Sequence, residues 1–308
     1  YFAGSVNLLF LGKEISTPLT LASGILGISF SSLQRVIRDG AGMVTTKSLS
    51  IEPREGHEGP IIAEFNGGLI NSVGLTNPGI AEGLEEVEKF HAGIDGVVIV
   101  SVFGANAADF VQLSKAVNDS SADILELNLS CPNVEDEFKR PFALMPDKIT
   151  EIVSAVKAVS TIPVLAKLSP NANDISAIAK LTEAAGADGL TMINTLGHGM
   201  VVDAVAKRPV LRNNIGGISG PCIKPLAIKL IHDAFKVVDI PILGTGGVST
   251  GLDAIEMMMA GAGAIGIGSA VYDHGLEVFK SIRDEMETFM EVHGYAEYSD
   301  LIGILKEN

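Results

Sequence analysis

Cysteine is nearly absent: only Cys131 and Cys222 occur in 308 residues. Two thiols cannot build a disulfide framework or hold an iron–sulfur cluster that needs four, and their scarcity points to a reducing compartment. Positive charge is also short. Lys and Arg total 22 against 37 Asp and Glu, a net of −15, and no basic cluster interrupts that pattern, so a nucleic-acid partner is not expected. Long hydrophobic runs are missing as well, since stretches such as 96–105 are too short to span a bilayer. Residues 1–10 have neither a basic n-region nor a small-residue cleavage site, so no signal peptide is expected. The six histidines fall at no metal-ligand spacing; His198 sits in a glycine-rich stretch and the others are expected at the surface. No repeat or composition shift marks a second domain. One soluble, cytoplasmic domain over residues 1–308 is the expectation.

Hydrophobic residues make up 47% of the chain, enough for a large core. Short β-branched runs alternate with helical patterns. Strands are expected at 19–23, 43–47, 97–102, 124–129, 164–168, 189–194, 241–244 and 264–268. Helical stretches such as 175–185 and 252–260 end in Gly186 and Gly261, which read as caps. Eight strand–helix units imply a parallel α/β sheet, and eight close into a (β/α)8 TIM barrel. Residues 6–15, with Gly12 at the turn, read as an N-terminal β-hairpin plugging the barrel's lower face. The connections 48–77 and 197–220 are too long for plain links and are expected to be inserted active-site loops.

Polar residues gather where such a barrel places its chemistry. Ser23, Lys47, Ser101, Asn128, Lys167 and Asn194 all fall at or near C-terminal strand ends. A lysine ending a buried strand is costly unless compensated, so Lys47 and Lys167 suit an anionic ligand, or a cofactor that becomes anionic during turnover. Glycine-rich turns at 244–250 and 266–270 follow the last two strands and open helices, a context that favours phosphate; 216–220 supplies a further such turn. The segment 126–133 runs from a strand into a Pro-fixed turn, presenting Cys131 between Asn128 and Asn133. A thiol there is either a small buried hydrophobe or a positioned acid/base. Two patterns are decoys. Residues 261–266 fit G-x-G-x-x-G by letters but enter a strand instead of leaving one, and the sequon at Asn128 lies in a buried strand.

Ala22-Ser-Gly24, Thr46-Lys-Ser48, Asn71-Ser-Val-Gly-Leu-Thr-Asn-Pro-Gly79, Asn128-Leu-Ser-Cys-Pro-Asn-Val134, Lys167-Leu-Ser-Pro170, the stretch 186–195, Gly216-Gly-Ile-Ser-Gly220 and Gly244-Thr-Gly-Gly-Val248 together resemble dihydroorotate dehydrogenase across nearly the whole chain. Cysteine at the base position resembles class 1 enzymes, and Gly-Leu-Thr-Met-Ile-Asn-Thr195 resembles the class 1B catalytic subunit most. The resemblance implies an FMN enzyme of pyrimidine biosynthesis that oxidises dihydroorotate to orotate. Cys131 would be the base. Lys47, Asn71, Ser72, Val73, Gly74, Leu75, Asn128, Asn133, Asn194 and Thr195 would hold the substrate. Ser23, Lys47, Ser48, Ser101, Asn128, Lys167, Ile193, Gly220, Gly246, Gly247, Gly268 and Ser269 would hold FMN. Residues 134–146 would form a lid. It also implies a homodimer joined, as a heterotetramer, by a subunit carrying FAD and a [2Fe-2S] cluster that passes electrons to NAD. Ser101 departs from the family's usual Asn, Ile218 from a common Leu, and Gly197-His-Gly199 makes the loop after strand six unusual.

Two other readings compete. A class 1A-type enzyme would reduce fumarate without a second subunit. A Schiff-base aldolase would use Lys167, though it leaves Cys131 and the asparagines without a task.

Overall fold

The run Val-Val-Ile-Val-Ser-Val is what a parallel strand covered on both faces requires, and Val97–Val102 is such a strand, buried throughout. The computed structural model describes residues 8–129 and 145–307. Its centre is a closed barrel of eight parallel strands. They are β1 Leu19–Leu21, β2 Met43–Thr45, β3 Val97–Val102 and β4 Ile124–Asn128. The second half is β5 Val164–Lys167, β6 Gly189–Met192, β7 Ile242–Thr245 and β8 Ala262–Ile267. Neighbours in sequence are neighbours in space, and β8 closes on β1 through Ile265↔Leu19 and Ile267↔Leu21. The expected barrel is therefore present. The last two strands lie a residue or two away from the expected 241–244 and 264–268.

Helices pack outside the strands and are stopped and started by local chemistry. Ile175–Ala184 begins at Asp174, whose Oδ1 accepts the Ala177 N–H at 3.0 Å. Gly251–Met259 begins with a capping box between Thr250 and Asp253. Gly186 and Gly261 follow these two helices with positive φ, as caps should.

The N-terminal hairpin pairs Leu8–Phe10 with Lys13–Ile15 through Leu11 and Gly12, both at positive φ, the turn that matches strand twist. Alternation buries Leu8 and Phe10 and exposes Leu9. Phe10 packs beside Gly263 and Leu11 beside Gly189, both at the N-terminal ends of their strands. Lys13 pairs with Asp123, just ahead of β4, at 2.9 Å. The hairpin thus closes the barrel's lower face.

The two long connections pair with each other. Ile62–Phe65 and Gly68–Asn71 from the first join Leu196–Gly199 and Gly216–Ser219 from the second in one four-stranded antiparallel sheet. Its central register sets Gly217 against Asn71 and Ser219 against Leu69. The sheet forms a canopy at the barrel's C-terminal end. The lid expected over 134–146 falls outside the described residues except at its end, where Pro146–Lys157 begins a helix. Among the described residues no helix is long and apolar enough to cross a membrane.

Candidate active site

Between the strand ends and the canopy lies a cavity of about 450 Å³. The barrel contributes the ends of β4 and β5 through Asn128 and Lys167, and the segments after β1 and β2 through Ser23, Lys47 and Ser48. Ile193, Asn194 and Thr195 enter after β6, Gly246 and Gly247 after β7, and Gly268 and Ser269 after β8. The canopy and its flanks add Asn71, Val73, Gly74, Leu75 and Gly220. All of these were candidates on sequence grounds, and the fold brings them to one wall-to-wall site.

Two cations dominate its electrostatics. Lys167 is 5% exposed, and its ammonium donates to Ser23 Oγ at 2.8 Å. Burial pushes the Lys47 ammonium below the ordinary lysine value. Among the described residues no carboxylate pairs with either lysine. Two ammonium groups held without counter-charges in a concave site are arranged for an anion.

A hydrogen-bonded layer forms the floor. Asn128 Nδ2 donates to Ser48 Oγ at 3.1 Å, and Ser48 Oγ lies 2.8 Å from Ser101 Oγ. Ser101 Oγ donates to Glu126 Oε1 at 2.8 Å, and Thr191 Oγ1 to Glu126 Oε2 at 2.9 Å. Asn194 Nδ2 reaches Asn128 Oδ1 at 3.4 Å.

Some candidates are placed elsewhere. Ser101 is fully buried below the cavity and does not line it; its hydroxyl is committed to Ser48 and Glu126. Ser72 also turns away from the cavity, because Asn71 and Val73 alternate inward around it. Its hydroxyl instead contacts His57 Nδ1 at 3.0 Å and accepts from Asn213 Nδ2 at 3.1 Å, which ties the two long connections together. Cys131 and Asn133 lie outside the described residues. The expectation that the remaining histidines are surface residues is corrected for three: His57, His91 and His232 are half-buried with polar partners.

The sequence reading missed Glu126, whose only local signal was a carboxylate inside an apolar strand. It also missed Ile62, Leu69 and Tyr272 among the residues that line the cavity. The Glu64 carboxylate on the canopy edge raises the Tyr272 phenol above its ordinary pKa. No local pattern announces a contact between segments so far apart in sequence.

Comparison with known proteins agrees with this geometry. The family model described as dihydroorotate dehydrogenase matches residues 5–290. A protein of Methanocaldococcus jannaschii named dihydroorotate dehydrogenase B (NAD(+)), catalytic subunit, is 42% identical over 299 residues, covering 96% of each chain. The protein of the same name from Pyrococcus abyssi is also 42% identical, covering 97% of this chain and 98% of its own. Among solved structures, ligand-free DHODH from Eimeria tenella superposes with a TM-score of 0.86 at 22% identity, covering 99% of this chain and 92% of that one. Its complex with ferulenol gives 0.83 at 23% identity, covering 97% and 88%. These last two speak to the fold alone. The chain belongs to the dihydroorotate dehydrogenase family.

Proposed function

We propose that the cavity holds FMN and dihydroorotate together, and that the chain is the catalytic subunit of a class 1B enzyme working as a single barrel domain. The observation that supports this most is the pair of lysines, Lys167 buried and Lys47 half-buried, that line one cavity with glycine turns and have no carboxylate partner among the described residues, in a chain of this family. Family membership makes the protein a flavin-dependent oxidoreductase acting on a CH–CH bond, which displaces the aldolase reading of Lys167.

The residues present fit FMN. A Cβ at Gly268 would make only ordinary contacts, 3.8 Å to Ala22 Cβ and 3.9 Å to Ile25 Cγ1, and Ser269 and Gly246–Gly247 line the same cavity. Such a turn offers backbone N–H groups to a phosphate. Lys167, with one hydrogen bond to Ser23, has donors left for the flavin ring and would favour negative charge on it. Ser23, Lys47, Ser48, Asn128, Ile193 and Gly220 complete this half of the assignment. When bound, FMN supplies the acceptor for hydride from C6 of the substrate.

The substrate half falls to Lys47, Asn71, Val73, Gly74, Leu75, Asn128, Asn194 and Thr195, with Asn133 from the sequence motif. Lys47 would meet the substrate carboxylate, and the asparagine amides would meet the ring's amide edges. Cys131 follows Asn128 closely in sequence, and we assign it removal of the C5 proton. Cys131→Ala should leave the flavin spectrum intact and slow flavin reduction by dihydroorotate by ~10²–10⁴-fold. Unchanged single-turnover reduction would reject that role.

The relatives are named catalytic subunits, which supports a partner subunit here. Two cysteines are too few for a cluster, and the glycine letters of 261–266 lie at and within β8, so they form no dinucleotide turn. We assign the route from FMN to NAD to a second polypeptide, which by the family resemblance would carry FAD and a [2Fe-2S] cluster in a heterotetramer built on a homodimer. The low cysteine count also supports a cytoplasmic setting. The isolated chain should reduce artificial dyes but not NAD, and should gain NAD reduction when that subunit is added. Efficient fumarate reduction by the chain alone would favour the class 1A reading instead.

A further inference from the structure

Glu126 is a carboxylate inside the barrel that the reaction outlined above leaves without a task. It is 2% exposed, and among the described residues its partners are two hydroxyls, Ser101 and Thr191, with no cation. Each carboxylate oxygen therefore accepts one O–H.

With the Glu126 carboxylate accepting at both oxygens, the direction of each hydroxyl bond above it follows from proton counting. A hydroxyl has one proton to donate. Ser101 gives its proton to Glu126, so in the 2.8 Å contact between Ser101 and Ser48 the proton belongs to Ser48. Ser48 Oγ can then only accept from its other neighbour, Asn128 Nδ2. That turns the Asn128 amide with its NH2 towards Ser48 and its oxygen towards Asn194 Nδ2. Asn194 Oδ1 in turn accepts the Thr195 N–H at 2.7 Å. From Asn194 through Asn128, Ser48 and Ser101 the donors all point one way, down from the cavity wall to an acceptor-only group. Ser48, Ser101, Glu126, Asn128 and Thr191 are all buried, where such a run is strongly polarised.

We infer that Glu126, acting through Ser101 and Ser48, is a positioning residue: it fixes which end of the Asn128 and Asn194 amides, donor or acceptor, meets the ligand's ring. This gives Ser101 a purpose as the hydroxyl linking carboxylate to cavity. A glutamine at 126 would have a second setting, in which its NH2 faces Ser101, the run reverses and Asn128 turns over. The inference rests on the reading that the cavity binds flavin and a pyrimidine ring.

The test is titration of orotate into the purified, flavin-loaded protein, followed by the change in flavin absorption. Ser101→Ala and Glu126→Gln should each raise the orotate Kd about tenfold, the size of one mis-set hydrogen bond. Ser101→Thr, which restores the hydroxyl, should bind as the wild type does. Thermal midpoints recorded beside the titrations report packing losses, which by themselves would leave the Kd unmoved. Wild-type affinity in both Ser101→Ala and Glu126→Gln overturns the inference, as does a folded, flavin-loaded Ser101→Thr protein as weak as Ser101→Ala. If orotate leaves the wild-type flavin spectrum unchanged, it is the binding reading that fails. A normal wild-type response matched by the variants removes the positioning role alone.

Discussion

Gly268 and Gly247 look interchangeable in sequence, yet the structure gives them opposite fates on substitution. Gly268→Ala adds a methyl whose nearest protein atoms, Ala22 Cβ and Ile25 Cγ1, lie 3.8 and 3.9 Å away, ordinary contact distances. Its backbone does not need positive φ, so the ligand-free fold should change by less than about 0.5 kcal/mol. The methyl projects into the space assigned to the cofactor phosphate, where overpacking costs roughly 1–3 kcal/mol, about a five- to 150-fold loss of flavin affinity. Gly247→Ala is the converse. Its φ is 78°, and a Cβ would sit 2.6 Å from the Gly220 carbonyl oxygen and 3.0 Å from Lys224 N, backbone atoms with little freedom to move. Left-handed strain of about 1–2 kcal/mol and a clash of about 1–3 kcal/mol should lower the stability of the ligand-free protein itself. The assay pairs thermal melts of flavin-stripped protein with fluorescence titration of FMN. Full flavin affinity in Gly268→Ala, or a wild-type melt in Gly247→Ala, would refute the reasoning for that position.

Lys47 and the hairpin yield further expectations. Burial lowers the Lys47 pKa from 10.5, so the unfolded chain binds that proton more tightly than the folded one does. Stability of the ligand-free protein should rise as pH climbs from the lowered value towards 10.5, and below that window the charge is a standing cost. Lys47→Met should accordingly raise the ligand-free melting temperature at neutral pH while weakening orotate binding; a lower melting temperature would contradict the burial argument. Phe10 is 2% exposed at the barrel's lower face, and Phe10→Ala should cost about 3–5 kcal/mol in urea unfolding while leaving orotate affinity untouched. A change in affinity would show that the hairpin and the site are coupled.

The barrel was legible because strands buried on both faces must be apolar runs, and runs such as Val97–Val102 admit no other reading in an alternating chain. Lys47, Asn128 and Lys167 were legible for the converse reason, as polar groups where apolar ones belong. The motif 71–75 does not tell which of its side chains face the cavity; the period of two in extended chain turns Ser72 away while Asn71 and Val73 line it. The depth of Ser101 was not legible: it lies within β3, one position before the strand's end, and this is enough to set it beneath the cavity floor. The canopy was not legible at all. Pairing Gly68–Asn71 with Gly216–Ser219 is a non-local choice that neither segment's composition signals, and the canopy it builds carries Ile62 and Leu69 to the cavity.

The central claim is that this cavity oxidises dihydroorotate at a bound flavin. Anaerobic mixing of the purified, flavin-loaded chain with dihydroorotate in a stopped-flow spectrophotometer tests it most directly. The account predicts loss of the yellow flavin absorption with one orotate formed per flavin, and no NAD reduction in the absence of a second subunit. A flavin that stays oxidised under excess dihydroorotate would contradict it.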